Sequence, residues 1–589
     1  MANSNEGENM SSIVPDRLIK GGTLVDGTGA PPRLADVRLR DALVVEVGES
    51  LAEQDGETVH DATGCFVAPG LIESHTHFDG TMWWQPDLDP LPGCGVTTVV
   101  MGNCGFALAP LHEDPKVREQ VVKIFSFFED IPEPPFYQNL PWDWRTWSEY
   151  KESMISNVQV PANFGAFVGH IALRLAVMGM DAWERAATES EIEQIAALLE
   201  DALAAGALGF STNLMDHDGE DRPVPSLHAN DAEFSALLAV LEHHPGATMQ
   251  VVVDSLMRMT ATASMERLAT LSEGLDVRIQ WAGVPTLQWQ KDYGLQQPLV
   301  DLHERFASEG RDFWTGFTHV PITVTAGIER SLLFAQSNEF AWHEVVTAKD
   351  EAEKFALLAD PEWRARARNS WDNESLETSF FRKPEAILLD NSGNDVGPSG
   401  VTLGDYAAAL GVHASDGMAE WFIANGIGST VTMPAWDKDD EMVVRLTRDP
   451  HSVGNITDAG AHGQMFCGAG DNLMLLTHYV RETKTLRIEE AVHSQTGKLA
   501  HHFGFTDRGV LEVGKRADVT VFNLDEIERR PKYKVYDVPD GEGGMTWRWT
   551  RDPAPVRLTL VNGVATFEDG KATGARPGTL VSPGDCTPS

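Results

Sequence analysis

Two histidines at the end of an apolar segment are the strongest chemical signal in the sequence. The segment Gly70–Asp79 reads GLIESHTHFD, and one residue separates His75 from His77. Side chains two residues apart on a strand point to the same face, so both imidazoles could bind one divalent cation. Two histidines in a surface loop are the alternative, but Pro69 and the strand pattern before the histidines favour metal ligands.

Two other segments end in side chains that could complete this site. Cys104 follows a strand pattern in a glycine-flanked turn, and a thiolate is a strong zinc ligand, although a lone cysteine is also often a small buried hydrophobe. Asp458 ends the apolar segment Gly454–Thr457 and could bind the cation and act as general base toward water. An N-cap for a following helix is the alternative role of Asp458. The continuation AGAH is untypical of a helix start, which favours the catalytic role.

Strand patterns alternate with helical patterns through most of the chain, which predicts a parallel sheet built from βα units. The clearest helix is Glu189–Ala205, where apolar residues recur at spacings of three and four. Six to eight repeats of such units are typical of a (β/α)8 barrel, whose active site lies at the carboxyl ends of the strands. The predicted strands include Val96–Met101, Phe164–Val168, Ala207–Ser211, Met249–Val253, Val277–Trp281 and Gly454–Thr457.

The two ends of the chain are expected to fold together as a smaller β domain. The first residues contain short strand patterns, and near the other end Val556–Val561 and Val564–Phe567 flank an Asn-Gly turn that predicts a hairpin. With 589 residues the chain has room for a barrel and a companion domain. We predict residues 1–67 and 505–589 to form the β domain and 68–504 the barrel, with an insertion at about 288–401.

The composition disfavours several classes of partner. A formal charge of -42 would repel nucleic acid and anionic membrane surfaces, and no apolar run is long enough to span a bilayer. Five cysteines are few and odd in number, which favours a reducing compartment over a disulfide framework. The segment Met1–Val14 lacks the features of a signal peptide. A cytoplasmic protein is therefore predicted.

Five segments and a terminal signature resemble the amidohydrolase superfamily, and within it the N-acyl-D-amino-acid deacylase (D-aminoacylase) group. The order of the segments along the chain matches the family, and coverage extends from about Leu18 to Leu580, with the insertion poorly matched. The matching segments are Ala68–His77, Gly95–Phe106, Val168–Arg174, Gly206–Thr212, Thr457–His462 and Arg508–Val521.

The resemblance implies an α/β fold, namely a distorted (β/α)8 TIM-like barrel that carries a small β-sandwich built from both chain termini. It also implies that His75 and His77 lie on the first barrel strand, Cys104 after the second and Asp458 on the last. Cys104 stands where many relatives carry a carboxylated lysine. In better-known relatives, histidines on strands five and six complete a second metal site. Here the segments around Gln250 and Gln280 contain no histidine, so one divalent ion is expected, with zinc favoured.

Other polar residues are candidates for supporting roles. His170 ends the predicted third strand, and it could be a catalytic oxyanion donor, a substrate contact, an extra ligand or a structural histidine. His228 and His319 could replace the missing histidines, although nothing in their spacing indicates it. Three arginines could pair with a substrate carboxylate, and the sequence does not choose among them: Arg174, Arg222 and Arg258.

The resulting hypothesis is a metal-dependent hydrolase that cleaves a C–N amide bond in a small molecule. Metal-activated water would attack the carbonyl, and Asp458 would pass the proton to the leaving nitrogen. The substrate would be an N-acyl-D-amino acid, or a cyclic or aryl amide. A non-catalytic ligand-binding relative is the alternative, as is a deaminase or lyase on the same scaffold. The oligomeric state, including a homo-oligomer, stays open.

Overall fold

The amino-terminal region forms short strands separated by Gly, Asp and Pro turns, as the sequence predicts. The computed structural model of the protein describes residues 14–255, 259–329, 340–373 and 383–584, and the structural statements below concern these residues. The first strands are Arg17–Lys20 (β1), Thr23–Leu24 (β2), Arg33–Leu34 (β3), Asp36–Arg40 (β4), Leu43–Gly48 (β5), Thr58–Asp61 (β6) and Phe66–Pro69 (β7).

Beyond Gly70 the chain alternates between strands and helices, and a strand is present at or near each predicted segment. Several strands are interrupted by one or two irregular residues and are therefore given in two parts. They are Leu71–Glu73 (β8), His75–Thr76 (β9), Val96–Met101 (β10), Asn163–Ala166 (β11), Val168–Gly169 (β12), Gly209–Asn213 (β13), Thr248–Val252 (β14), Arg278–Trp281 (β15), Phe313–Gly316 (β16), Thr325–Gly327 (β17), Leu388–Asn391 (β18), Val401–Thr402 (β19), Thr430–Thr432 (β20), Ser452–Val453 (β21) and Ile456–Ala459 (β22).

The parallel pairings connect these strands in a continuous order. β8 pairs with β10 and β10 with β11. The next sheet runs β12-β13-β14-β15-β16-β21, and β22 pairs with β9. β9 directly continues β8, β12 continues β11, and β22 continues β21. The series of pairings that begins at β8 therefore ends at the continuation of the same strand, β9.

Helices occupy the connections between the strands. The helix predicted at Glu189–Ala205 is confirmed at Glu189–Ala204, and Thr188 begins it with a capping box, accepting from the Glu191 amide while Glu191 Oε2 accepts from the Thr188 amide. The helices are Phe78–Thr81 (α1), Pro115–Glu129 (α2), Pro134–Asn139 (α3), Trp147–Asn157 (α4), His170–Met178 (α5), Glu189–Ala204 (α6), Asp231–Glu242 (α7), Ala261–Leu271 (α8), Gln288–Asp292 (α9), Gln297–Ser308 (α10), Trp342–Thr347 (α11), Glu351–Ala359 (α12), Pro361–Asp372 (α13), Leu403–Leu410 (α14), Ala414–Asn425 (α15), Asp440–Arg448 (α16), Ile488–Gln495 (α17) and Gly497–His502 (α18), with a π-helix at Leu475–Glu482.

Part of the range predicted as an insertion belongs to the parallel strands and their helices. The range 288–401 includes α10 and β16, and β16 pairs in parallel with β15 and with β21. The segment that leaves the parallel order therefore lies between Gly316 and Ser452. It carries its own antiparallel sheet, in the order β17-β20-β18-β19. The sequence FWTG of β16 is short and half polar, so its strand pattern is weak.

Strands from both ends of the chain pair in one sheet. The terminal strands are Val519–Phe522 (β23), Lys532–Pro539 (β24), Met545–Arg551 (β25), Leu558–Val561 (β26), Val564–Glu568 (β27) and Lys571–Ala572 (β28). One sheet has the order β28-β27-β26-β23-β7-β2-β3, and a second has the order β5-β4-β1-β6. A single hydrophobic cluster joins the two sheets, with Val37 and Val44 from one packed with Val67, Val519 and Leu560 from the other.

A compact apolar cluster connects the parallel strands to the segment after α17. It joins Ile72, Val100 and Val453 of β8, β10 and β21 to aromatic residues near the end of α18. Phe503 is 1% exposed and lies within 6.3 Å of Phe167, measured between ring centroids. The full cluster comprises Ile72, Val100, Phe167, Leu208, Trp314, Val453, Leu499, Ala500, Phe503, Phe505 and Val581.

No helix in the described part of the chain is both long and apolar enough to cross a bilayer. The four described cysteines, Cys65, Cys94, Cys104 and Cys467, are all free of disulfide bonds. Cys586 lies outside the described residues.

Candidate metal centre

His75 and His77 lie at the carboxyl end of the first parallel strand, and their rings are neighbours. The ring centroids are 5.2 Å apart, and both side chains are buried. Burial lowers the pKa of His77 well below its usual value, and the neighbouring His75 and His462 lower it further. A neutral imidazole is the form that binds a metal ion. The spacing seen in the sequence thus places two imidazoles side by side, and their burial favours the neutral form that can bind a metal ion.

Cys104 is presented to these histidines by a tight turn after β10. Its Sγ atom lies 3.1 Å from His75 Nε2 and 3.8 Å from His77 Nε2. The backbone of Cys104 has a φ of 59°, in the left-handed region that L side chains rarely adopt. The Cys104 amide donates to Gln250 Oε1 at 3.0 Å, and its carbonyl accepts from Asn213 Nδ2 at 3.3 Å. Strands β13 and β14 therefore hold the turn in this conformation.

Asp458 reaches the same point from the last parallel strand. Its Oδ1 atom lies 3.3 Å from His75 Nε2 and 3.8 Å from His77 Nε2. Like Cys104, Asp458 has a left-handed backbone, with a φ of 52°. The Asp458 side chain is a quarter exposed, more than those of the histidines.

Hydrogen bonds connect the segment that carries Asp458 to the first parallel strand on either side of this residue. The His77 amide donates to the carbonyl of Ala459 at 2.9 Å, and Asn455 Nδ2 donates to the carbonyl of Ile72 at 2.6 Å. Thr457 Oγ1 donates to the buried Glu73 Oε2 at 2.5 Å. These contacts fix the register that places the carboxylate opposite the two imidazoles.

The four side chains form a donor set suited to zinc. His75, His77 and Cys104 have ligand atoms within 4.8 Å of one another, and Asp458 Oδ1 lies near both imidazoles. Two imidazole nitrogens, a sulfur and a carboxylate oxygen are ligands that zinc accepts in a four-coordinate site. Burial raises the pKa of the Cys104 thiol well above its usual value, and Glu129 and Asp458 raise it further. A cation between the groups would favour the thiolate that binds metal.

Gln250 and Gln280, on the fifth and sixth parallel strands, contact groups other than the four candidate ligand atoms. Gln250 lies on β14 and accepts from the Cys104 amide, and Gln280 lies on β15 with its Oε1 atom 2.8 Å from His502 Nε2. Both amides are buried. Gln250 thus supports the turn that carries Cys104, and Gln280 contacts α18.

His170 does not join the four ligands in the described structure. It is the first residue of α5 and is fully buried, with Nδ1 2.9 Å from Thr212 Oγ1 and Nε2 2.8 Å from Glu233 Oε1. Arg174 pairs with Glu233 Oε2 and donates to the carbonyl of Arg185. Both ring nitrogens of His170 therefore have partners in a polar cluster with Glu233 and Arg174.

The remaining candidates lie away from the ligand group. His319 Nε2 is 3.1 Å from the carbonyl of Asp471, and His228 lies in the turn Pro225–His228. Arg222 pairs with Asp218 at 2.7 Å and stacks on Trp183. Arg258 falls outside the described residues. The contacts found for His319 and Arg222 are therefore with groups other than His75, His77, Cys104 and Asp458.

Glu129 is part of the site that sequence reasoning missed. It is the last residue of α2, is 2% exposed, and places Oε1 3.1 Å from His77 Nδ1 and Oε2 3.7 Å from His462 Nε2. Burial raises the pKa of Glu129 to about 8, while His462 lowers it and Asp458 raises it. A carboxylate behind a ligating imidazole orients the ring and strengthens it as a ligand. A whole helix separates Glu129 from the His75–His77 motif, so no local pattern connects the two.

A cavity of about 250 Å³ adjoins the ligand group. His75 forms part of its wall, and most of the remaining lining is apolar, including Trp281, Phe317 and Trp436. Gln250 and Gln280 also line it. A cavity with one end at His75 and a largely apolar wall has the character of a site for a small molecule.

The chain is similar over nearly its whole length to known amidohydrolases. The sequence profile of the amidohydrolase family matches residues 58–567. An N-acyl-D-aspartate deacylase of Alcaligenes xylosoxydans xylosoxydans is 28% identical, with 97% of this chain and 96% of the relative covered. A crystal structure of D-aminoacylase superposes with a TM-score of 0.63 at 25% identity, covering 96% of this chain and all of that one.

A third comparison concerns a relative with a bound metal. The structure of N-acyl-D-glutamate deacylase from Bordetella bronchiseptica, complexed with zinc and a phosphonate inhibitor, superposes with a TM-score of 0.61 at 24% identity, over 97% of this chain and 99% of that one. At this identity the similarity shows a shared fold.

These comparisons define the class of protein. The chain belongs to the amidohydrolase family, as the sequence motifs predict. Its α/β fold is shared with D-aminoacylase, and the predicted membership of a class of metal-dependent hydrolases of non-peptide C–N bonds is confirmed.

Proposed function

We propose that the protein hydrolyses the acyl amide bond of an N-acyl-D-amino acid with one divalent cation, zinc being favoured. The observation that carries the proposal is the convergence of His75, His77, Cys104 and Asp458 at one point from three distant parts of the chain. The acyl-amino-acid substrate class is supported by the deacylases similar to this chain over more than nine tenths of its length.

The architecture that we propose is a (β/α)8 barrel with a β-sandwich formed by both chain ends. The return of the parallel pairing to β9 supports the barrel, and the hydrophobic cluster shared by the two terminal sheets supports the sandwich. In such a barrel the carboxyl ends of the strands surround the active site. The predicted domain boundaries at 67 and 504 stay proposals, and so does a cytoplasmic location.

Each polar group of the site has a distinct part in the proposed reaction. The bound cation would supply Lewis acidity toward the substrate carbonyl and toward water. His75, His77, Cys104 and Asp458 would hold the cation. Asp458, with more of its side chain exposed than either histidine, would also accept the proton of the attacking water and deliver it to the leaving nitrogen. His170 was predicted as a catalytic residue, and its contacts with Thr212 and Glu233 support the alternative of a structural histidine in that buried cluster.

The residues on the fifth and sixth strands favour one bound metal ion over two. Gln250 and Gln280 occupy strands five and six, where the family resemblance implies histidines, and both amides are engaged with Cys104 and His502. An amide is a weak zinc ligand compared with imidazole. We therefore propose that Gln250 serves the site by supporting the Cys104 turn.

Removal of the cation is expected to abolish activity. After dialysis against a chelator, kcat/KM for N-acetyl-D-amino acids should fall by about 10³-fold or more, because neither carbonyl nor water is then polarised. One equivalent of zinc per chain should restore it, as measured by elemental analysis beside an amine-release assay. Full activity of the metal-free protein would contradict the proposal. Release of ammonia or an elimination product alone would favour the deaminase or lyase alternative, and bound metal without turnover would favour a binding protein.

Removal of the carboxylate behind His77 is expected to weaken metal binding. The substitution Glu129→Gln should raise the zinc dissociation constant by about 10-fold to 100-fold, because an amide beside His77 Nδ1 cannot take up the negative charge with which a carboxylate strengthens a metal-bound imidazole. Competition with a chromophoric chelator measures this constant. Glu119→Gln, at a less buried position of the same helix, is the matched control and should leave it unchanged. Equal affinities for all three proteins would show that Glu129 does not support the ligand.

A further inference from the structure

Lys438 is a lysine side chain in the wall of the cavity beside His75. It lies in the insertion, between β20 and α16, and its Nζ atom donates to Thr318 Oγ1 at 2.5 Å and to Thr286 Oγ1 at 3.3 Å. An ammonium group has three N–H bonds. Among the described residues, the hydroxyls of Thr318 and Thr286 accept two of these N–H groups.

The charge of Lys438 has no close counterion among the described residues. The described lining of the cavity contains this one ammonium group and no carboxylate side chain. The acidic group that acts on Lys438 through space is Asp471, and Asp471 already pairs with Arg529 at 2.6 Å and with Arg551 at 2.8 Å. Burial lowers the pKa of Lys438 to about 7, against the opposing effect of Asp471. An ammonium group in such surroundings gains stability when an anion binds beside it.

The rest of the cavity indicates what kind of anion fits. The walls around Lys438 are formed largely by Trp281, Val284, Phe317, Ile322 and Trp436, which suit an apolar portion of a ligand. His75 lies in the same lining and belongs to the metal ligands. A molecule that places its acyl carbonyl at His75 therefore has its remaining atoms among apolar rings, with one ammonium group available to an anionic end.

We propose that Lys438, with the hydroxyls of Thr286 and Thr318, binds the carboxylate of an acyl-amino-acid substrate whose apolar side chain fills the cavity. This inference rests on the proposed function, since it takes the scissile amide to lie at His75. It replaces the three arginines considered from the sequence, of which Arg174 pairs with Glu233 and Arg222 with Asp218. The lysine side chain would then select carboxylates over neutral amides of the same shape.

The test compares an acid with its neutral analogue in three full-length, zinc-loaded proteins. The probes are N-acetyl-D-leucine and N-acetyl-D-leucinamide, which differ in the negative charge of the carboxylate. The proteins are wild type, Lys438→Met and, as a matched control, Lys123→Met, which removes an exposed lysine of α2 outside the cavity. Binding is measured by calorimetry on versions of the three proteins that also carry Asp458→Asn, which slows hydrolysis of the probe during the measurement. Hydrolysis is measured without that substitution, as KM and kcat for release of acetate.

The expected result is a loss of affinity confined to the acid. Lys438→Met should raise the dissociation constant and KM for N-acetyl-D-leucine by about 30-fold or more, the value of a charge-assisted hydrogen bond. The same substitution should change the constants for the leucinamide by less than about twofold, and Lys123→Met should change neither. A higher affinity of the wild type for the acid than for the amide completes the expected pattern.

Two kinds of failure can be told apart. Equal weakening of acid and amide, no weakening of the acid, or no binding of the acid by the wild type would each overturn the assignment of Lys438. Binding of the acid without hydrolysis by the zinc-loaded wild type would contradict the proposed function, and the dissociation constants of the Lys438→Met protein would still decide the role of the lysine.

Discussion

Replacing Asp458 with asparagine should lower kcat/KM for the hydrolysis of acyl amino acids by about 10³-fold, because the amide cannot accept the proton of the attacking water. Asparagine keeps the shape of the side chain and one oxygen near His75 and His77. The three remaining ligands, His75, His77 and Cys104, should therefore retain close to one equivalent of zinc. Steady-state rates and elemental analysis of the same preparation measure both quantities.

The control for this substitution is Asp301→Asn. Asp301 is exposed on α10, where it accepts from Gln297, and the substitution should leave both rate and metal content unchanged. An Asp458→Asn protein that keeps its zinc and its activity within about tenfold of wild type would remove Asp458 from the role of base. Loss of the zinc would show instead that the carboxylate acts mainly as a ligand.

Truncating Phe503 should lower the stability of the folded protein by about 3 to 5 kcal/mol, the usual cost of deleting a buried phenylalanine side chain. Phe503 is 1% exposed and packs with Phe167 and Phe505. The cluster that they form joins the parallel strands to the segment after α17, so the cavity left by Phe503→Ala would weaken both. The midpoint of urea unfolding, followed by tryptophan fluorescence, should fall accordingly.

An exposed aromatic residue provides the comparison for this loss. Tyr536 is 65% exposed on β24, and Tyr536→Ala should change the free energy of unfolding by no more than about 0.5 kcal/mol. An unchanged urea midpoint for Phe503→Ala would show that the cluster does not hold the strands and the carboxyl-terminal segment together.

The sequence predicted the elements whose residue pattern is local. The strand at Val96–Met101 and the helix at Glu189 coincide with their predicted positions because each contains its own periodicity and end signals. The convergence of His75, His77, Cys104 and Asp458 could be expected because residues at the carboxyl ends of neighbouring parallel strands meet at one edge. The pairing of the last strand with the first brings Asp458 to His75, as this convergence requires.

The residues that sequence reasoning missed depend on contacts between distant parts of the chain. Glu129 ends a helix and Lys438 lies in a loop, and neither belongs to a recognisable sequence motif. Tertiary packing alone places Glu129 beside His77 and Lys438 in the cavity wall. The sequence showed that no histidine stands near Gln250 and Gln280. It did not show which groups these two amides contact. His170 was placed near the site by its motif, but its contact with Glu233 depends on α7, which the motif does not include.

The ligand set itself is tested most directly by X-ray absorption at the zinc edge, on protein equilibrated with excess zinc and then freed of loosely bound metal. We expect one sulfur at about 2.3 Å, from Cys104, together with nitrogen and oxygen scatterers at about 2.0 to 2.2 Å from His75, His77 and Asp458. Cys104→Ser should remove the sulfur component. A shell without sulfur in the wild type, or a second metal at about 3.5 to 4 Å, would contradict a single zinc site with these four ligands.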